Sequence, residues 1–344
     1  MESCAEKKND APRPGAARVG LMTFNVGNLF DAEHDAGKDD RAFLPAESKR
    51  TAAHKALCAK VREGSRREEC LALDWSEKAL ALKLERLAGV ILRSGSGQGG
   101  LPGPDIVVLQ EVENERVLER LRVALAPAGY LPGILIEGSD PRGIDQAVLS
   151  RLETARPPRL LGVPFGAAGE GPGRGILAAA FRLPGPSRGE LLVFAVHLPS
   201  GGEPGMARRN AMDFLGGLAA ALPGDRMAVV AGDFNVTSAE DAAFGLFEQA
   251  EGRWLVSHRL TRPNRPGTYW YTPDRTWSFL DALLLTKSLG LGGKAPWRVV
   301  EGSVRVVDDA PFQKDAEGFP ARFDPQFGSG VSDHFPVVLE LAER

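Results

Sequence analysis

From residue 19 onward the chain alternates short apolar runs with amphipathic stretches. Val19 to Phe24 is an apolar run of strand length that ends at Asn25. Ser76 stands where a helix cap belongs, and Leu80, Leu84, Leu87 and Ile91 then recur on one helical face. Asp105 to Gln110 is rich in β-branched residues and reads as a buried strand. Asn114 caps a second helix that turns Val117, Leu118, Leu121 and Leu125 inward. Strands are predicted at 146–150, 176–183 and 191–196, then a helix over 206–222 with Ala211, Phe214, Leu215 and Leu218 on one side. A strand at 227–231, a short helix capped by Ser238, and strands at 278–285 and 334–341 complete the order. The pattern predicts an α/β chain with one domain over 18–344 and a tail at 1–17. The charged stretch 31–75 has no clear period and reads as an insertion. A Gly/Pro loop lies at 162–175, and 301–331 is a long irregular stretch of the kind that is usually functional or disordered.

Composition narrows the picture. Apolar residues make up 43% of 344, enough for a sizeable core, and 40 Gly with 25 Pro predict many turns. The net charge of −3 is unlike that of a bulk polyanion binder, so a nucleic-acid substrate would need a local cationic patch. No apolar run is long enough to span a membrane, and no complete signal peptide is visible. Ser3-Cys4 before a polar tail resembles the start of a mature bacterial lipoprotein; an ordinary tail fits equally well. Cys58 and Cys70 share one polar segment. Either they close a short disulfide loop, which implies an oxidising compartment, or they are free thiols. The expected location is extracytoplasmic: periplasmic, lipid-anchored or secreted.

Polar residues stand where apolar strands end. Asn25 follows Leu21 to Phe24, Glu111 follows Ile106 to Gln110, and His197 follows Leu192 to Val196. Asp233 and Asn235 follow Ala228 to Gly232, and Asp333 with His334 precede Phe335 to Leu339. Strand ends are where a rigid scaffold presents reactive groups. The carboxylates and amides offer hard oxygens suited to Mg²⁺, with Mn²⁺ or Ca²⁺ as alternatives, and no Cys/His set has zinc spacing. The histidines add proton transfer and cationic contact to phosphate.

The stretches Thr23-Phe24-Asn25-Val26, Leu109-Gln110-Glu111-Val112, Val196-His197-Leu198, Gly232-Asp233-Phe234-Asn235, Phe279-Leu280-Asp281 and Ser332-Asp333-His334-Phe335-Pro336 come in an order that resembles the endonuclease/exonuclease/phosphatase superfamily. They span nearly the whole chain after the tail. The resemblance implies a four-layer αββα sandwich of two mixed sheets flanked by helices, and hydrolysis of a phosphate ester by water. It implies metal ligation by Asn25 and Glu111, with Asp333 as a second ligand or a brace. Asp233 would orient or deprotonate the attacking water, with Asn235 as its partner. Asp281 would orient His334, which contacts the phosphate or acts as a base. His197 matches the position where deoxyribonuclease-like members act on the leaving group, which favours general phosphodiester cleavage over abasic-site repair.

Asp140-Pro141-Arg142-Gly143-Ile144-Asp145 is similar to a stretch of bacterial secreted or periplasmic-type members. It makes Arg142 a phosphate contact and Asp145 a support for a histidine; a tight turn with a local Asp–Arg pair is the alternative. Arg174 is a further candidate for phosphate binding. Arg208 and Arg209 grip substrate or are simply solvated. Tyr269, Trp270, Tyr271 and Trp277 either stack on bases or pack at a sheet rim. His34, His54 and His258 have no motif partner. The expected activity is that of a Mg²⁺-dependent, nuclease-like phosphodiesterase, acting as a monomer on a nucleic-acid phosphodiester. A phosphatase or phospholipase C-type hydrolase of an inositol phosphate or phospholipid headgroup and a non-catalytic phosphate- or nucleic-acid-binding member are the alternatives.

Overall fold

The computed structural model describes residues 15–163, 174–187, 189–200 and 206–344. Cys4 with the tail through residue 14, residues 164–173 of the Gly/Pro loop, and Gly201 with Gly202 lie outside the described residues.

The chain opens with β1 (Arg18–Leu29), α1 (Ala52–Cys58), α2 (Gly64–Ala72) and α3 (Glu77–Arg93). It continues with β2 (Ile106–Val112), α4 (Glu115–Ala124), β3 (Ile134–Leu135), β4 (Asp145–Ser150), β5 (Thr154–Leu161), β6 (Ile176–Arg182) and β7 (Glu190–His197). Then come α5 (Met206–Ala221), β8 (Met227–Asp233), α6 (Ser238–Phe244), α7 (Leu246–Ala250), β9 (Trp254–Val256) and α8 (Ser257–Leu260). The last elements are β10 (Tyr269–Tyr271), β11 (Thr276–Ser278), β12 (Asp281–Thr286), β13 (Trp297–Val299), β14 (Arg305–Val306) and β15 (Val337–Glu343).

One sheet runs β13-β15-β1-β2-β4-β3, with β14 also on β15; the second runs β5-β6-β7-β8-β12-β9. Both are mixed, because β1–β2 and β7–β8 are parallel while their neighbours are antiparallel. Side chains alternate faces along a strand, and that alternation builds the layers. Val19, Leu21, Ile106 and Val108 meet Val193, Ala195, Val229 and Leu283 between the sheets. Met22, Phe24 and Val107 turn outward onto Leu80, Leu84 and Leu121 of α3 and α4. Phe194, Val196 and Val230 turn outward onto Ala211, Leu215 and Phe247 of α5 and α7. This is the expected αββα sandwich. Each fully buried apolar side chain contributes roughly 1.5–3 kcal/mol.

Ser76 and Asn114 cap α3 and α4 as expected, accepting from Ala79 N at 3.3 Å and Val117 N at 3.0 Å. The cap of α6 is Thr237, which accepts from Glu240 N; Ser238 is the first helical residue and its hydroxyl binds Trp277 O. The first strand extends beyond Phe24 to Leu29, past a break in its pairing. The 31–75 stretch is not irregular throughout, since it holds α1 and α2, joined by a Cys58–Cys70 disulfide. A helical period was unreadable there because few of its side chains are buried: His54 and Cys58 on α1, Cys70 on α2.

Candidate active site

Register puts the reactive groups in a row. In the second sheet His197 of β7 is paired with Asp233 of β8, and Asp233 with Asp281 of β12. All three have the parity of the residues that face the first sheet, so their side chains enter the space between the sheets at one end. Asn25 has the same parity on β1 and meets them from across: its Nδ2 donates to Asp233 Oδ2 at 2.9 Å. Gly232 is required beside Asp233, because a Cβ there would lie 1.9 Å from Val196 O.

Glu111 breaks the alternation. Its φ is +66°, and the β2–β4 pairing shifts between Gln110 and Val112. A non-glycine residue in the left-handed region is uncommon and costs energy. Without that bulge, parity would send Glu111 to the helix side. Its carboxylate instead accepts from Asn28 N at 2.9 Å and lies 3.8 Å from His197 Nε2. Asn28 is itself at φ +62° and Gly27 at φ +62°, so both strands deform together at the site.

A second constellation surrounds Asp233. Its Oδ1 accepts from Asn235 N at 2.8 Å, and its Oδ2 lies 3.7 Å from His197 Nε2 and 4.0 Å from His334 Nε2. His334 Nδ1 is 2.8 Å from Asp281 Oδ2, which leaves Nε2 toward Asp233 and the cleft. Asn235 Nδ2 donates to Leu198 O at 2.8 Å, so its oxygen is the group left to bind a ligand or water. Ser332 ties the halves together: its hydroxyl donates to Asn25 O at 2.7 Å and accepts from His334 N at 3.1 Å.

Electrostatics separates the two histidines. Burial opposes a charge on His334, but the adjacent Asp281, then Asp233 and Asp333, outweigh it and raise its pKa well above the usual histidine value. His197 is driven well below that value by burial and by Arg174, Arg142 and His334. At neutral pH one ring is therefore imidazolium and the other neutral. Burial pushes Asp233 above the ordinary carboxylate range, partly opposed by His334 and Asn25.

The structure brings together Asn25, Glu111, His197, Asp233, Asn235, Asp281, Asp333 and His334. Arg142 and Arg174 flank them, sharing Asp140 at 3.6 and 2.8 Å. Asp145 does not support a histidine. It is buried on β4, and its Oδ1 accepts from Gly138 N at 2.8 Å, which braces the loop that carries Arg142. Arg208 is buried against Glu240 and Pro199 O, and Arg209 lies over the Phe244 ring, so neither faces the cleft. Trp270 stacks on Phe319 at 4.2 Å, and Tyr269 packs 5.0 Å from the His334 ring. His258 is sandwiched between Phe247 and Phe279.

Thr268, Asn28 and Lys83 were not singled out by the sequence, and Ser332, part of the Ser332-Asp333-His334 stretch, had been given no role. Thr268 receives Asp281 N on its hydroxyl at 3.1 Å. Lys83 is fully buried and binds Val26 O and Gly27 O at 2.6 and 3.1 Å, and also Val331 O. A signal for Lys83 was present, since it lies in the apolar stripe of α3 between Leu80 and Leu87.

Two groups of side chains bear on metal binding. Asp233, Asp281 and His334 each place one atom within 4.8 Å of the others. That trio is already joined by the His334–Asp281 hydrogen bond and is buried, which suits proton handling better than a hydrated Mg²⁺. Glu111, Asp333 and Asn25 fit such an ion better: they offer hard oxygens, and Asp333 is partly exposed beside Gly27.

The model of the Endonuclease/Exonuclease/phosphatase family matches residues 22–334. Solved structures share the fold. A functionally unknown conserved protein from Enterococcus faecalis V583 has TM-score 0.56 and 15% identity, over 94% of this chain and 100% of that one. An endonuclease/exonuclease/phosphatase family protein from Bacteroides thetaiotaomicron has TM-score 0.55 and 17% identity, over 96% and 99%. TDP2 from D. rerio, complexed with a single strand DNA product, has TM-score 0.50 and 16% identity, over 94% and 98%. No curated protein matches the chain. With the family model spanning residues 22–334 and the motif residues gathered at one end of the sandwich, the chain belongs to the Endonuclease/Exonuclease/phosphatase family.

Proposed function

We propose that the protein hydrolyses phosphodiester bonds of nucleic acid with the help of a divalent cation, Mg²⁺ by preference. The observation that carries this reading is the pairing of the His334–Asp281 couple with Asp233 across a cleft whose other side presents Glu111 and Asp333. Asn25, Glu111 and Asp333 would hold the cation, which when bound polarises a phosphoryl oxygen and offsets developing charge. Asp233 accepts the proton of the attacking water, whose second contact is the Asn235 oxygen. His334, kept protonated by Asp281, pairs with the phosphate. His197 stays neutral and donates a hydrogen bond from its Nε2–H to the leaving oxygen, without giving up the proton. Arg142 and Arg174 neutralise the phosphate from the rim. The solved DNA complex of the similar D. rerio protein supports nucleic acid over a lipid or inositol headgroup.

The Cys58–Cys70 disulfide supports an extracytoplasmic, secreted-type member. No helix among the described residues is long and apolar enough to cross a membrane. Every proposed site residue comes from one chain, so a monomer suffices.

The test is a screen of EDTA-dialysed protein, with and without Mg²⁺ or Mn²⁺, on plasmid DNA, RNA, an inositol phosphate and bis(p-nitrophenyl) phosphate. Metal-restored cleavage of the nucleic acids and the aryl diester, absent in Asp233→Ala, is expected. Hydrolysis of the inositol phosphate alone would redirect the reading to that substrate, and cleavage insensitive to chelation would sink the metal assignment.

A further inference from the structure

We propose that the disulfide-stapled insertion formed by α1 and α2 is a cationic rim that holds the phosphate backbone of a nucleic-acid strand entering the cleft. This rests on the nucleic-acid reading above and extends it to a surface that no catalytic motif includes.

The charge is concentrated. Between Ser48 and Ala72, the end of α2, stand seven basic residues and three acidic ones, on a chain of net charge −3. Lys49 is consumed internally, its ammonium binding the carbonyls of Ala42, Glu69 and Leu73. The other six, Arg50, Lys55, Lys60, Arg62, Arg66 and Arg67, are exposed. Arg50, Lys55, Lys60 and Arg62 make no ion pair among the described residues; Arg66 meets only the exposed Glu63. A cationic patch on an acidic chain is the electrostatic footprint of a polyanion site.

The patch is tied to the cleft. Glu69, one helical turn from Arg66 on α2, pairs with Arg322 at 2.7 Å, and Arg322 lies within electrostatic range of Asp333 and Glu111. At the start of the insertion Asp39 N donates to Pro141 O at 2.8 Å, and the Lys38 stem packs against Gly143, on either side of Arg142. Arg66 is close enough to Arg142 to be felt by it. The cations thus continue from the insertion through Arg142 and Arg174 to His197.

The insertion is also braced to act as a surface. Helices of 7 and 9 residues are marginal alone. Here Cys58–Cys70 closes them, His54 Nε2 lies 2.9 Å from Cys70 O, and Phe43 and Trp75 anchor the flanks by ring contacts. A strand backbone is favoured over a lipid surface because the charges lead into the cleft, while the exposed leucines of the insertion, Leu57 and Leu71, are only two.

The experiment compares the parent with Arg62→Glu/Arg66→Glu/Arg67→Glu, checked for folding by circular dichroism. KM for a DNA oligonucleotide should rise about tenfold or more at low salt, and the log–log salt slope of binding should fall by roughly 2. Turnover of bis(p-nitrophenyl) phosphate should stay within about twofold. Binding of a labelled oligonucleotide to Asp233→Ala, with and without the three reversals, reads the surface even if no turnover is found. Unchanged DNA binding with normal aryl diester hydrolysis overturns the rim and leaves the proposed function standing. Equal losses on both substrates overturn it by making the insertion part of the catalytic scaffold. Loss of binding to phosphatidylserine vesicles with DNA binding retained overturns it in favour of a lipid. No hydrolysis of any diester by the parent would instead count against the proposed function.

Discussion

Replacing Lys83 by Met is expected to destabilise the fold and raise the metal requirement together. The ammonium is fully buried, and its three protons go to the carbonyls of Val26, Gly27 and Val331. The first two follow Asn25 and the third precedes Asp333, so one cation from α3 joins the two segments that present the proposed metal ligands. Arg86, one turn on, adds bonds to Gly330 O and Gly328 O. Burial pushes the Lys83 pKa down to about 7, against the pull of Asp333 and Glu111. Three carbonyl acceptors call for three N–H donors, which keeps the group charged. Met preserves the length of the side chain but leaves three buried carbonyls unpaired, at roughly 1–3 kcal/mol each. Relief of the cation's own desolvation offsets part of this, for a net loss of about 3–5 kcal/mol. Urea denaturation monitored by circular dichroism measures it, and a Mg²⁺ titration of diesterase activity reads the second effect. A variant within about 0.5 kcal/mol of the parent, the range of ordinary surface substitutions, and with an unchanged Mg²⁺ midpoint would contradict the role given to Lys83.

Asp281→Asn should keep the fold but lower kcat by about 10²–10⁴, since His334 loses the group that keeps it charged and oriented; a loss below fivefold on bis(p-nitrophenyl) phosphate would contradict this. The pH–rate profile should be bell-shaped. Its acid limb should lie above the ordinary aspartate value near 4, because Asp233 must be ionised and its pKa is raised. Its alkaline limb should lie well above the ordinary histidine value near 6.5, because His334 must stay protonated and its pKa is raised. A single limb near 6.5 would contradict both assignments. Cys58→Ser should cost about 3 kcal/mol, the chain-entropy value for a loop of this length, with a sequence separation of 12. Unchanged stability, or two reactive thiols at Cys58 and Cys70 in the denatured parent, would remove the disulfide.

Much of the architecture was legible because burial repeats along the chain. The apolar runs of β2, β7 and β8 and the stripes of α3 and α4 show which segments pack, and their polar end residues show where a site would form. The short strands β3, β9, β13 and β14 were not legible, because two or three residues carry no period of their own. β5 was missed because it is an edge strand whose exposed Arg156, Pro157 and Arg159, with Pro158 half-buried among them, hide the alternation. Asp145 was misread because a short motif does not say which atom its carboxylate meets; its partner is the Gly138 amide, set by the turn into β4.

The available chemistry is written along the chain: four carboxylates, two amides and two histidines at strand ends, with a buried alternation that puts most of them on one face. Which of them meet depends on how the sheets pair and pack. The β7–β8–β12 register lines up His197, Asp233 and Asp281, and the bulge at Glu111 turns that carboxylate to the site against its parity. Lys83 closes on carbonyls 56 to 248 residues away in sequence. Periodicity is a local property read from neighbours on the chain. Pairing register, left-handed backbone at Glu111 and a buried cation among distant carbonyls are fixed only when the two sheets close on each other.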